Sequence, residues 1–230
     1  MGIYAETLQL PNETKEEALL AQIKELNERP EIDAILVQLP LPSHISATHC
    51  LLALDPKKDV DGFHPENAGR LTLGLEGIKP CTPQGIMELL RRYKLDLKGS
   101  KACVVGRSNI VGKPLALMLA EPLEYANATV TLCHSQTKDL KAECSQADFL
   151  FLAMGHPKAI GPDYVKEGAV VVDVGINRTK DGICGDADFQ ALKTKVSAIT
   201  PCPGGVGPMT VAMLLKNTVM VWKKNMLKNL

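Results

Sequence analysis

Two aspartates separated by one residue and followed by glycine, Asp59, Asp61 and Gly62 in KDVDGF, form the first grouping with chemistry to offer. A carboxylate can accept paired hydrogen bonds from a planar N–H edge of the amino-pyrimidinone kind. The same residues can equally make a plain turn. A second grouping, TPCPGGVGPMT at 200–210, sets three glycines between prolines. Without Cβ atoms, such a backbone can approach a flat ligand closely; a rigid connector is the other reading. The run VQLPLP, Val37 to Pro42, is a third cluster outside the central part of the chain.

A different chemistry is suggested where Val104-Val105 runs into GRSNIVGKP. Gly106 and Gly112 flank Ser108 in a G-x-S-x-x-x-G spacing, looser than the usual G-x-G-x-x-G of dinucleotide sites. Gly106 permits a tight strand-to-helix turn, and N–H groups at the helix start can then face a pyrophosphate. A glycine turn of this kind also serves purely structural ends. The second strand, ATVTL, ends in Cys133-His134-Ser135, with none of the carboxylate that binds ribose hydroxyls in NAD sites. Arg107 and Ser135 are therefore read as holders of a 2′-phosphate, which makes NADP the expected cofactor. Glu124 has the right spacing but precedes the strand. Farther on, VVVDVGIN brings Gly175 and Ile176 to a strand end, where open α/β sheets bind ligands and a backbone can meet the nicotinamide.

The elements that must position these residues follow from periodicity. Gly2–Pro11 reads as an opening strand. Thr14 and Glu17 read as a capping box for a helix over 15–27. A short apolar strand is expected at 34–37 and a helix at 46–54, an alternation that implies a parallel sheet. Residues 55–79 read as a long functional loop. Thr82 as N-cap with Pro83 predicts a helix to about Tyr93 that joins two lobes. Strands are expected at 102–105, 129–132, 149–153, 169–174 and 198–199, with helices at 113–119 and 209–224. The fold class is α/β in two lobes, the larger a Rossmann-like, doubly wound parallel sheet.

Composition narrows the function classes. Hydrophobic residues make up 45% of 230, enough for a sizeable core. Lysine plus arginine, 26, balances aspartate plus glutamate, 26, which argues against nucleic acid as partner. Seven cysteines with no C-x-x-C pair read as reduced, partly buried thiols and no metal site. MGIYAETLQL has no secretory character, and Lys216-Asn217 interrupts the most apolar late segment, so no membrane association is expected.

Taken in order, VQLPLP, KDVDGF, PCTPQGI, VVGRSNIVGKP, VTLCHSQT and ITPCPGGVGPMTVAML resemble the bifunctional methylenetetrahydrofolate dehydrogenase/cyclohydrolase family from Gly2 to about Val221. The resemblance implies a cytoplasmic homodimer of one-carbon metabolism that serves purine, methionine and histidine synthesis. It implies NADP-dependent oxidation of methylenetetrahydrofolate to the methenyl cation, then hydrolysis to formyltetrahydrofolate in the same cleft. A folate lobe would span 1–80 and be completed by a helix in 208–230, with an NADP-binding domain at 81–207. Asp61 would hold the pterin, and Gln38 would orient the pterin carbonyl and the family's catalytic lysine. Pro203, Gly204 and Gly205 would contact folate. Gly106, Arg107, Ser108, Ser135 and Ile176 would contact the cofactor. The family's Y-x-x-x-K helix precedes the matched region and has no counterpart after Met1. A chain beginning at Met1 is therefore expected to be weak as a dehydrogenase and nearly inactive as a cyclohydrolase. Two other classes stay open: a non-catalytic NADP-binding remnant or dimer partner, distinguished by the missing helix, and a shikimate-type NADP dehydrogenase, against which the KDVDG and PGGVGPMT pair argues.

Overall fold

In a computed structural model, residues 2–180 and 182–228 are described. The nucleotide half is a five-stranded parallel sheet of β1 (Lys101–Val105), β2 (Thr129–Cys133), β3 (Phe149–Leu152), β4 (Val170–Asp173) and, after a small antiparallel pair β5 (Asn177–Thr179) and β6 (Gly182–Cys184), β7 (Ala198–Ile199). The order is β2-β1-β3-β4-β7. Successive strands thus leave β1 in opposite directions, which opens a crevice at its carboxyl end.

Strands β1, β3 and β4, in the middle of the sheet, are short, apolar and buried because both faces are covered, whereas the edge strand β2 is largely exposed. Cys103, Val105, Leu150, Leu152 and Val171 pack into one layer, with Ile160 and Leu192. Their neighbours in sequence, Ala102, Val104, Phe151 and Val172, point the other way. That second layer packs against Ile86 and Leu90 of α4 (Cys81–Arg92) and Leu115 and Leu119 of α5 (Gly112–Ala120). The opposite face receives Cys144 of α6 (Leu140–Ser145) and Leu192 of α7 (Phe189–Leu192), two short helices that the periodicity did not announce. All seven cysteines are free thiols, five of them buried.

The first lobe holds α1 (Glu16–Glu28), α2 (Ala47–Ala53) and α3 (Pro65–Thr72). Its core is Ile23, Ile35, Ile45, Cys50 and Leu54. Several expectations are corrected here. Among the described residues, Gly2–Pro11 form no strand, since a strand needs a neighbour to pair its backbone and these residues have none. Residues 34–37 contribute one parallel bridge, Ile35 to Asp59, and not a sheet. The N-cap of α1 is Lys15, without a side-chain cap. The expected Thr14–Glu17 capping box therefore does not form; Glu16, next to the cap, instead accepts from the backbone N–H of Ser46 at 2.5 Å and meets His49 Nδ1 at 2.6 Å, joining α1 to α2. Segment 55–79 is not all loop, because His64 caps α3 through its ring and Pro65 opens it.

The long last helix, α8 (Val206–Lys228), packs against α4 more extensively than any other helix pair. Gly85 makes this possible, since a Cβ there would lie 2.9 Å from Met209 Cβ. Helix α4 starts one residue before Thr82, whose hydroxyl bonds Thr210 of α8 at 3.0 Å instead of capping. Val221 of α8 also packs with Val60 and Ile78 of the first lobe, so this helix touches both halves. No helix among the described residues is long and apolar enough to cross a membrane.

Candidate functional site

The two aspartates of KDVDG divide their work. Asp59 is buried and accepts from the N–H groups of Gly62 (3.0 Å) and His64 (2.8 Å) and from Asn67 Nδ2 (2.9 Å). It is the internal brace of the turn, as the turn reading of this pair expected. Asp61 is only partly buried, and burial pushes its carboxyl above the usual range. The nearby Cys81 thiol works against that shift, and the neighbouring Asp59 adds to it. Among the described residues, Asp61 takes part in no ion pair. It is thus a desolvated acceptor without a cationic partner, which is what an N–H edge of a ligand would complement.

Gly62 lets this turn sit against the start of α4. Its φ is +72°, and a Cβ would fall 2.6 Å from the carbonyl carbon of Lys79. Gln38 lies three residues beyond Ile35, and Asp61 two beyond Asp59. The parallel bridge therefore sends both toward the same end. Gln38 is exposed and its amide donates to the adjacent Leu39 carbonyl at 3.0 Å.

Lys58, next to the brace, is not offered to the cleft. Its ammonium donates to the carbonyls of Leu26 (3.1 Å), Asn27 (2.8 Å) and Arg29 (2.7 Å), closing the carboxyl end of α1. Lys79 is likewise engaged, paired with Glu121 at 3.0 Å. Lys58→Met keeps the aliphatic stem but strands three carbonyls. It should lower unfolding stability by about 1–3 kcal/mol, read as a shifted urea midpoint with an unchanged slope; an unchanged midpoint would return Lys58 to the solvent.

In the nucleotide half, Gly106 ends β1 between two neighbours. Its N–H donates to the Cys133 carbonyl at 2.9 Å, its φ is +124°, and a Cβ would fall 2.1 Å from the Ala153 oxygen. Gly112 is equally confined, with Gly106 O 1.9 Å from its would-be Cβ. Ser108 turns its hydroxyl inward to accept from the N–H groups of Val111 and Gly112, so it shapes the amino end of α5. The last pair in the β1–β2 register is Val105 with Cys133. Arg107 and Ser135 each follow that pair by two residues and are exposed at the same sheet edge. Glu124 lies before β2, toward the opposite edge, on a separate hollow with Glu121 and Tyr125.

Beyond β4, Ile176 and the turn Pro203-Gly204-Gly205 line one cavity of about 230 Å³, with Asp173, Cys202 and Val206 also in its wall. Two buried carboxylates that sequence reasoning missed build this region. Asp173 accepts from the N–H groups of Gly175, Asp186 and Ala187. Asp186 accepts from those of Met154, Gly155 and His156 and from Asn177 Nδ2. Between them they tie the loop after β3 to the loop after β4. For Asp173 the signal was present as a charged residue inside the apolar stretch VVVDVG, where an aspartate must be hydrogen-bonded to be tolerated; Asp186, in the polar run GDADF, carried none.

Comparison with known proteins bears directly on this arrangement. Residues 80–226 match the family described as tetrahydrofolate dehydrogenase/cyclohydrolase, NAD(P)-binding domain, and residues 1–61 match its catalytic domain. The bifunctional protein FolD of Desulfovibrio desulfuricans is 61% identical over 97% of this chain and 79% of its own length. A crystal structure of the bifunctional enzyme FolD from Campylobacter jejuni is 52% identical, with a TM-score of 0.88 over 93% of this chain and 75% of that one. The Trypanosoma brucei methylenetetrahydrofolate dehydrogenase-cyclohydrolase, solved with NADP cofactor and inhibitor, is 38% identical with a TM-score of 0.88, over 94% of this chain and 75% of that one. Matches of this identity, running through both lobes and every motif described above, place the chain in the tetrahydrofolate dehydrogenase/cyclohydrolase family.

Proposed function

We propose that the chain oxidises methylenetetrahydrofolate to the methenyl cation with NADP as hydride acceptor, and that the cation is hydrolysed to formyltetrahydrofolate in the same cleft. The observation that carries this reading is the shared cavity of Ile176 with Pro203-Gly204-Gly205. A nicotinamide against Ile176 and a folate against the glycine turn would then be neighbours, as hydride transfer needs donor and acceptor carbons about 3–3.5 Å apart. The residues fit NADP: a glycine turn at the sheet's crevice, and a cation with a hydroxyl at the ribose end. The cofactor supplies the redox chemistry, and the protein holds and aligns.

In this reading Asp61 accepts from the pterin edge and Gln38 orients the pterin carbonyl. Pro203, Gly204 and Gly205 contact folate; Gly106, Arg107, Ser108, Ser135 and Ile176 contact the cofactor. The desolvated Asp61 carboxylate also stabilises the cationic product electrostatically. Residues 1–80 with the helix in 208–230 form the folate lobe, and 81–207 the nucleotide domain. The contacts of α8 with Val60 and Ile78 support that division. We further take the active species to be a cytoplasmic homodimer, with neither nucleic acid nor membrane as partner, in keeping with the balanced charge.

The test is turnover and binding together. Appearance of the methenyl product with NADP, and its subsequent decay, are followed optically, while calorimetry measures NADP and folate binding. Tight NADP binding with no folate binding would make the chain a nucleotide-binding module. Oxidation of a shikimate-type hydroxy acid in place of the folate would make it a different dehydrogenase.

A further inference from the structure

The turn that carries Asp61 is fixed from outside its own lobe. Asn217, on α8, is 1% exposed and more than 150 residues away in sequence, 157 from Val60. Its Nδ2 donates to the Val60 carbonyl at 2.8 Å and to the Lys79 carbonyl at 3.2 Å. Its Oδ1 accepts from Gln84 Nε2 of α4 at 3.0 Å, and that same Gln84 nitrogen donates to the Lys79 carbonyl at 2.7 Å. The Cys81 thiol donates to the Val60 carbonyl as well, at 3.3 Å. The amide orientation of Asn217 is therefore set by its partners: two carbonyls face its nitrogen and one amide faces its oxygen.

Val60 immediately precedes Asp61, so the peptide plane leading into the acceptor is held by a side chain from α8 and another from α4. Both helices pack together and belong to the frame of the nucleotide sheet: Ile86 and Leu90 of α4 and Val206 of α8 lie in one of its core layers. Asp59, by contrast, shapes the turn internally through Gly62, His64 and Asn67. Shape and placement are thus separate jobs. A correctly shaped turn that is not anchored to α4 and α8 would present its carboxylate at the wrong distance from a bound cofactor.

We infer that Asn217 is a positioning residue for folate, setting where Asp61 stands relative to the nucleotide half by holding the Val60 carbonyl. This rests on the reading of Asp61 as the pterin acceptor. Asn217 touches no ligand itself; its effect passes through the peptide before Asp61. A displacement of a fraction of an ångström there costs alignment for hydride transfer, so the burden should fall on folate steps and not on cofactor binding.

Asn217→Asp keeps size and Oδ1 but removes the donor, turning a carboxylate toward two carbonyl oxygens; Asn217→Ala removes both functions. Each variant is measured beside Asp61→Asn and the corresponding double variants, well below its own melting temperature. The expected result is a rise in the folate KM of about tenfold, the worth of one buried hydrogen bond, with NADP affinity unchanged. Because the effect acts through Asp61, the double variant Asp61→Asn/Asn217→Ala should show little further rise over Asp61→Asn alone. A lowered melting temperature with an unchanged folate KM would make Asn217 a stability residue and overturn the inference, as would equal losses for folate and NADP. If Asp61→Asn itself leaves folate KM untouched, the pterin assignment fails instead, and the two failures are told apart. Should Asn217→Asp not fold, Asn217→Ala and Gln84→Leu carry the same comparison, Gln84→Leu freeing the Asn217 oxygen without altering Asp61.

Discussion

Asp61→Asn should reduce folate affinity by about a hundredfold or more and leave NADP affinity unchanged. The carboxylate offers only acceptors, whereas the amide presents a donor to the donor edge of the ligand. A hydrogen bond to a charged group is worth roughly 1.5–3 kcal/mol, and a buried donor left facing a donor adds its desolvation cost. Fold stability should move the other way. Burial raises the Asp61 carboxyl, so the native state holds that proton more tightly than the unfolded chain does. Above the raised value the ionised carboxylate is penalised in the native state, and the amide removes that penalty. The variant should therefore be no less stable at neutral pH while binding folate poorly, a separation typical of residues kept for function. The same raised carboxyl predicts that folate KM climbs on the acid side at a higher pH than an ordinary aspartate would give, as Asp61 protonates and ceases to be a pure acceptor. Asp61→Asn should abolish that acid limb. Calorimetric titration with each ligand and a pH series of KM check both statements; unchanged folate affinity would return Asp61 to a turn.

What could be seen in the sequence, and what could not, follows one physical line. Strands β1, β3 and β4 were legible because both faces are buried, and continuous apolar runs such as FLFL and VVVD, short and bounded by polar or turn-forming residues, suit a strand covered on both sides. The glycine turn at 106 was legible because only glycine accepts that φ and that crowding against Ala153. Features decided by long-range partners were not. Thr14 and Glu17 looked like a helix-opening box, yet the N-cap is Lys15 with no side-chain cap, and the neighbouring Glu16 spends its carboxylate on Ser46 and His49, some thirty residues on. Thr82 looked like a cap, yet its hydroxyl goes to Thr210. Lys58 opens a functional motif and yet closes a helix. In each case the local pattern named a capable group, and tertiary packing chose its partner. The candidate site shows the same division. Asp61 was read from spacing, but its anchorage to α8 had no local signal, and the setting of Asp173 in VVVDVG said only that it needs partners, not that those would be the N–H groups of Asp186 and Ala187.

Arg107→Ala should cost NADP affinity about ten- to a hundredfold and leave NAD affinity nearly unchanged, since one charged hydrogen bond to a phosphate is worth roughly 1.5–3 kcal/mol. The argument begins with the register. Val105 faces Cys133 across β1 and β2, and Arg107 and Ser135 both stand two residues farther on, exposed at the carboxyl edge. A cation and a hydroxyl there can converge on one phosphate, and no carboxylate ends β2 to repel it. Arg107 takes part in no ion pair among the described residues, so its guanidinium is not already committed to a neighbour. Ser135→Ala should act in the same direction but more weakly, about two- to tenfold, because a neutral hydroxyl contributes roughly 0.5–1.5 kcal/mol. Raising the salt concentration should erode the NADP preference of the parent chain and hardly affect that of Arg107→Ala, because an exposed charge pair is screened. Fluorescence titration of both cofactors, with each variant and at two salt concentrations, gives the full comparison. Equal losses for NADP and NAD on removing Arg107 would mean that the arginine meets the pyrophosphate shared by both cofactors, and the discrimination would then have to be sought elsewhere along the edge of β2.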